Sequence, residues 1–159
     1  MKKINIKEEM FSRQHIYRFI LLLILLISLS VSFVLFLLGK NYTKRTFVFP
    51  SVSGEYILEY RNLNKNPFQG DVRFYIDEIL LGPQTERTKM LFTPGTQILS
   101  CFQRDDVLYL DLSSDLLKMG DNVIDIKEGF DLLKLNITKN FHDIKTIEFF
   151  VDGKIAFYM

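Results

Sequence analysis

Twenty consecutive uncharged residues, FILLLILLISLSVSFVLFLL from Phe19 to Leu38, stand near the start of the chain, with serines such as Ser28 and Ser32, four apart on one helical face, as their polar positions. At ~1.5 Å rise per residue this run spans about 30 Å as a helix, the thickness of a bilayer hydrocarbon core. Beyond it the pattern breaks into short segments. TFVFPSVSGEYILEYRNL reads as two strands joined at Ser53-Gly54, the first at an edge or bent because Pro50 lacks an amide donor. In NPFQGDVRFYIDEILLGP, Phe68, Val72, Tyr75, Ile76, Ile79 and Leu80 fall on one helical face. Asn66 and Pro67 suit a helix start, and Gly82-Pro83 suits its end. QILSCFQ and VLYLDL flank Arg104-Asp105-Asp106 as an antiparallel hairpin, with Leu108, Leu110 and Leu112 on one face. SDLLKM fits a single helical turn. A second helix follows, in which Val123, Ile126, Phe130, Leu133 and Ile137 step by three and four. Asp152-Gly153 is the strongest hairpin-turn signal in the sequence. The order predicts an α+β domain: a two-layer sandwich of two helices on a mainly antiparallel sheet, preceded by one transmembrane helix.

Charge sharpens this division. Residues 1–45 hold eight Lys/Arg against two Glu, and residues 46–159 hold twelve Lys/Arg against seventeen Asp/Glu. An acidic body argues against nucleic acid as a partner. Five basic residues precede the apolar run and three follow it closely. That bias places the N-terminus in the cytoplasm and the body outside it, with the apolar run in the cytoplasmic (inner) membrane. The run is longer than a signal-peptide core and ends in LLGKNYTKR, without a small-x-small cleavage site or a nearby Cys for lipid attachment. The expected organisation is a cytoplasmic tail at 1–18, a membrane helix at 19–38 embedded in the lipid bilayer, a tether at 39–45 and an extracytoplasmic domain at 46–159. The single Cys101 reads as a buried thiol in a strand, so the body depends on packing alone.

Reactive chemistry is sparse. The chain has two histidines: His15 beside the apolar run and His142 in the loop segment NFHDIK. One body histidine and one cysteine make a zinc site improbable in composition, and the expectation is no metal, no cofactor and no catalytic residue. Adjacent Asp105-Asp106 belong to a hairpin turn, where neighbouring acids face water. The polar run between Gly82 and Pro94 carries Arg87 and Lys89 beside Glu86 and reads as a solvated joint between helix and strand. The residues thus favour a membrane-anchored interaction or scaffold domain, with an envelope protein or its own copy as partner. An envelope enzyme or a small-ligand or glycan binder, using rings such as Tyr56, Tyr60 and Tyr109, is the alternative. Phe149, Phe150, Phe157 and Tyr158 of the last hairpin are the rings from which a partner surface is drawn: Phe149, Phe157 and Tyr158 are the candidates.

The segments LLGP, TPGTQILS, LYLDLS, LNITKNF and IEFFVDG occur in that order with suitable gaps. This series resembles the GerMN domain, named for a sporulation and germination protein, over about residues 46–153. Gly82-Pro83, Pro94-Gly95-Thr96, Asp111-Leu112-Ser113, Asn136 and Asp152-Gly153 stand where that family has L-x-G-P, I-P-x-G-T, V-D-L-S, the Asn of N-T-L, and V-D-G. Ile137 and Thr138 depart from the Thr-Leu that follows the family's Asn, and Phe92 stands near its usual Ile. The resemblance implies a non-enzymatic extracytoplasmic α/β domain, similar to the ring-building modules of envelope-spanning or peptidoglycan-associated assemblies. It also implies that the matching residues are structural. Family members usually carry a lipoprotein signal and often two copies, whereas this chain has one copy behind an apolar helix.

Overall fold

The computed structural model describes residues 6–39, 42–118 and 120–156 and divides into two units, Met1–Asn41 and Tyr42–Met159. The first unit is one helix, α1 (Ile6–Leu38). Within it His15–Leu37 is long and apolar enough to cross a membrane, and its side chains are exposed. Length and composition of this kind suit a membrane anchor and a signal sequence alike. The helix is continuous from Ile6, so much of the expected cytoplasmic tail is helical.

The second unit is an α+β domain built from β1 (Tyr42–Pro50), β2 (Tyr56–Asn64), α2 (Asp71–Leu80), β3 (Ile98–Arg104), β4 (Val107–Leu112), a 3₁₀ turn at Ser114–Leu117, α3 (Ile126–Asn140), β5 (Thr146–Val151) and β6 (Lys154–Ile155). Four of the seven residues assigned to a tether, Tyr42–Arg45, are strand: Tyr42 pairs with Asn64 and Arg45 with Arg61. Lys40 and Asn41 lie outside the described residues.

The expected single sheet is two sheets. β1 and β2 form an antiparallel ribbon in unbroken register, and β3-β4-β5-β6 form a second sheet in that order. Its central pair, β4 and β5, is parallel. Antiparallel neighbours need only a tight turn, but parallel ones need a crossover, and the 3₁₀ turn and α3 supply it here. α2 begins later than its apolar spacing implied. Gly70 sits at φ 87° and serves as N-cap without any side-chain cap, so the left-handed backbone there excludes Asn66–Gln69 from the helix. Phe68, expected on the buried face, is fully exposed for that reason.

One apolar core joins both sheets and both helices of the domain. Phe47, Phe49, Tyr75, Leu110, Leu112, Phe130, Leu133 and Ile137 are essentially inaccessible. Phe130 of α3 tilts against Phe149 of β5 at 4.9 Å between ring centroids and meets Phe92 edge-on at 5.1 Å. Such aromatic pairs stabilise by about 1 kcal/mol beyond the area they bury. Gly129 lets α3 approach this closely: a Cβ there would lie 2.7 Å from the Leu91 carbonyl oxygen and 3.0 Å from the Phe92 ring.

α3 also completes the ribbon. Odd residues of β1 bond to β2, so Thr46 and Val48 turn their backbone groups outward. Asn136, wholly buried, accepts from the Val48 amide at 2.7 Å and donates to the Val48 carbonyl at 2.9 Å. One helical turn later, Asn140 accepts from the Thr46 amide at 2.9 Å and donates to the Thr46 carbonyl at 2.7 Å. Two side-chain amides therefore pair with the strand as another strand would. The match is metric: four residues of helix rise ~6.0 Å and two residues of strand rise ~6.7 Å. The Tyr75 hydroxyl donates to the Thr46 carbonyl at 2.7 Å and accepts from Asn140 at 2.8 Å. Burial pushes that phenol well above its ordinary range.

Two substitutions test this packing. Asn136→Ala strands a buried donor and acceptor on Val48, at about 1–3 kcal/mol each. A loss of about 3 kcal/mol is expected in urea denaturation of the detergent-solubilised chain, together with faster hydrogen exchange at the Val48 amide. Gly129→Ala, which helix propensity alone would favour by roughly 1 kcal/mol, is expected to destabilise instead, because the Leu91 backbone blocks its methyl group.

Candidate functional site

The residues that resemble family motifs fall in turns and strand ends, apart from Asn136 in α3, and the side chains of Thr96, Asp111, Ser113 and Asn136 each hold backbone. Gly82 ends α2 at φ 93°, its amide bonded to the Ile79 carbonyl, and Pro83 turns the chain away from the helix. The segment that follows, expected as a solvated joint, is laced to β1 through its backbone. Lys89 donates its amide to the Pro50 carbonyl, and the Arg87 carbonyl accepts from the Val52 amide and the Ser51 hydroxyl. Arg87 keeps an exposed side chain, while Thr88 is buried and turns its hydroxyl onto the Thr85 carbonyl.

The same segment is gripped from beneath by two charged residues on the inner face of β2. The Glu59 carboxylate accepts the amides of Gln84 and Thr85 at 3.1 Å each and pairs with Arg61 at 2.8 Å. Arg61 donates to the Gly82 carbonyl at 2.8 Å and the Glu78 carbonyl at 3.1 Å, and its guanidinium lies 4.5 Å from the Phe47 ring centroid. Burial of Glu59 raises its carboxyl, but the Arg61 guanidinium and the Gln84 and Thr85 donors outweigh this and hold it below the ordinary value of 4.5. The terminal nitrogens of Arg61 are thus taken up by Glu59 and by backbone carbonyls, while its Nε donor is buried without a hydrogen-bond partner among the described residues.

The other motif residues converge on one end of the four-stranded sheet. Thr96 closes the Pro94-Gly95 turn by donating to the Thr93 carbonyl at 2.7 Å. The Ser113 hydroxyl accepts from the Gln97 amide at 3.1 Å, and the Ser113 amide returns a bond to the Gln97 carbonyl at 2.9 Å. Asp152 and Gly153, at φ 49° and 73°, make the turn between β5 and β6. The Gly153 amide donates to the Asp111 carboxylate at 3.1 Å, and the Asp152 amide to the Leu112 carbonyl at 3.1 Å. Asn136 is the linchpin of the ribbon described above.

The expected partner surface needs correction. Phe149 is 5% exposed and packed on Phe130, so it belongs to the core, as alternation within β5 requires once Ile147 is buried. Phe150 faces the opposite side and is half-buried, while Phe157 and Tyr158 lie outside the described residues. Exposed rings occur elsewhere. Phe102 stacks on Tyr109 at 5.0 Å on the outer face of β3 and β4, and Tyr56 and Tyr60 stand exposed on β2.

Of the chemical groups weighed in the sequence, His142 is exposed, Asp105 occupies a turn at φ 57°, and Asp106 lies 3.9 Å from Lys145. Burial pushes the half-buried Cys101 thiol up to about 11. Among the described residues, no three His, Cys, Asp or Glu side chains are gathered to hold a metal ion. The described residues line an open cleft of about 350 Å³ beside Arg61, Leu63, Phe74 and Glu78 and another of about 530 Å³ beside Tyr56, Asp131 and Leu135.

The family model described as "Germane: Sporulation and spore germination" matches residues 49–156. The chain belongs to the Germane family. An "Uncharacterized lipoprotein" of Treponema pallidum (strain Nichols) is 33% identical to the chain over 88 residues, which are 55% of this chain and 66% of that protein. The tandem GerMN domains of the sporulation protein GerM from Bacillus subtilis match with a TM-score of 0.56 at 16% identity, over 72% of this chain and 40% of that one. The first GerMN domain of the same protein matches with a TM-score of 0.57 at 13% identity, over 72% of this chain and 86% of that one. At these identities the likeness to GerM is one of fold. The Germane match takes in each motif residue named above, from Gly82 to Gly153.

Sequence reading missed Glu59 and Arg61 in this Germane domain. The signal was present: they share the inward face of an alternating strand with Ile57 and Leu63, where a charged residue needs a buried partner. The folded-state carboxyl of Glu59 is depressed, so its stabilising contribution is complete above the ordinary glutamate pKa and disappears as pH falls through the lower, folded value. Glu59→Gln is expected to cost about 2 kcal/mol at neutral pH. The gap between wild type and variant in urea midpoints closes on acidification below pH ~4.

Proposed function

We propose that this chain is a membrane-anchored, extracytoplasmic scaffold: a non-enzymatic Germane domain held at the inner membrane by α1, docking on an envelope protein or on its own copy within a cell-envelope assembly. The observation that carries this reading is the occupation of the motif side chains. Asn136, Thr96, Asp111 and Ser113 are each bonded to backbone, so the family pattern describes a rigid frame. A frame on a membrane helix, with exposed rings on both sheets, presents surfaces at a fixed place in the envelope. The lipoprotein relative and the GerM likeness support an envelope setting. The basic residues on the N-terminal side of the apolar run support a cytoplasmic N-terminus.

Membrane fractionation of the native host tests the anchor and the orientation together. The intact chain is expected in the membrane pellet after high-salt and alkaline washes and in the soluble phase only with detergent. Protease added to spheroplasts is expected to degrade the domain. Recovery of a shortened chain without detergent would turn α1 into a cleaved signal, and a domain protected in spheroplasts would reverse the orientation.

A further inference from the structure

The outer edge of β2 is unpaired, and its sequence is complementary to itself. Because Thr46 and Val48 face α3, the ladder between β1 and β2 uses the odd residues of β2. The even residues Leu58, Tyr60 and Asn62 therefore aim their amides and carbonyls away from β1. β2 has β1 as its one neighbour in the sheet, and no described residue bonds to those outward groups. Edge strands are usually protected by a charge, a proline or a bulge. Here the even positions are Tyr56, Leu58, Tyr60, Asn62 and Asn64, uncharged and exposed, in a register without a break. The cleft beside Arg61 and Phe74 leaves the edge open rather than covered by α2.

The charges around this edge decide the occupant. Residues 55–65 read EYILEYRNLNK. Counted from Tyr60, the acids are one and five residues before it, Glu59 and Glu55. The bases are one and five residues after it, Arg61 and Lys65. An antiparallel pairing about a two-fold axis at Tyr60 sets the exposed Glu55 opposite the exposed Lys65 of a second copy, while Glu59 and Arg61 stay in the buried pair of their own copy. Ile57 meets Leu63, Leu58 meets Asn62, and the two Tyr60 residues face each other. Moving the axis to residue 59 sets Glu55 opposite Leu63, and moving it to 61 sets Lys65 opposite Ile57, so either shift loses the ion pair. The axis at 60 alone among these gives full overlap of Tyr56–Asn64 and pairs the two exposed charges.

We propose that β2 pairs with β2 of a second copy, antiparallel about Tyr60, making a continuous four-stranded sheet from two ribbons. This deepens the scaffold reading and rests on it: the partner at this edge is the chain itself. Like partners in a homodimer present the same patch, and main-chain hydrogen bonds supply the contact as in other strand additions.

Cysteine crosslinking of the full-length chain in membranes tests the register. The background is Cys101→Ser. Tyr60→Cys is expected to form a disulfide-linked dimer under mild oxidation, because facing residues in adjacent strands have the Cα separation a disulfide needs. Asn64→Cys alone is expected to stay monomeric, while co-expression of Asn64→Cys with Tyr56→Cys gives a mixed dimer. Lys65→Glu, a change at an exposed site, is expected to weaken Tyr60→Cys crosslinking by roughly three- to tenfold, and adding Glu55→Lys restores it. Equal crosslinking at 60 and 64, a crosslink to a different protein, or no dimer at 60 would each overturn the proposal. If these occur while the chain still fractionates as an intact membrane protein, the scaffold reading stands and the self-pairing falls. If the chain is released as a shortened soluble form that still crosslinks at 60, the converse holds.

Discussion

The domain depends on a helix doing the work of a strand. β1 has a neighbour on one side only, and its other edge runs through the interior, where water cannot satisfy it. A buried amide or carbonyl left alone costs about 1–3 kcal/mol, so Thr46 and Val48 need four partners. Asn136 and Asn140 supply them from one face of α3. This bond set fixes the register between helix and strand, since a shift of one residue would turn apolar side chains toward the polar groups. It also explains why two residues of poor helix propensity stand inside α3. The orientation of Tyr75, and with it that of α2, follows from the same bonds.

The second constraint is ionic. Taking Glu59 and Arg61 from water is costly, and buried pairs often contribute little net stability against an apolar pair of the same volume. Their contribution here is positional. Glu59 collects the amides of Gln84 and Thr85, and Arg61 collects the carbonyls of Glu78 and Gly82. The end of α2 and the start of the following loop are thereby fixed on β2 by groups with fixed directions. Such bonds select one path for a segment whose side chains at Gln84, Thr85, Glu86 and Arg87 are all exposed and contribute no apolar anchor.

The elements themselves were legible in the sequence because most rest on local physics. Alternation at Leu108, Leu110 and Leu112, the helical stripe from Ile126 to Ile137 and the Asp152-Gly153 turn need only near neighbours to be read. The features that escaped depend on distant partners. The parallel pairing of β4 with β5 has no local signature, and the division into two sheets arises because Asn136 and Asn140 cap β1 where a further strand could have paired. For Phe68, apolar spacing and the helix-breaking backbone of Gly70 point in opposite directions, and Gly70 prevails. For Phe149, an aromatic pair at a hairpin suggests a surface, but the parity of β5 turns the ring into the core. In each case two local rules conflict.

The motif residues and the surface residues carry different information. Asn136, Asp111, Thr96 and Ser113 are held inside turns and ladders, so a chain that keeps them keeps the frame and specifies nothing about its partner. Recognition by a frame of this kind has to reside in side chains that the frame leaves free. β2 shows both roles within nine residues. Its odd positions, from Ile57 to Leu63, face inward and include the buried ion pair, while its even positions face water and expose the unbonded backbone. Folding acts on the first set, and the pairing proposed for β2 uses the backbone of the second. A substitution at Tyr60 or Asn64 can therefore alter what the domain meets without disturbing what it is, whereas the same change at Glu59 or Arg61 acts first on the fold. That separation follows from the two-residue period of the strand and holds whichever partner occupies the edge.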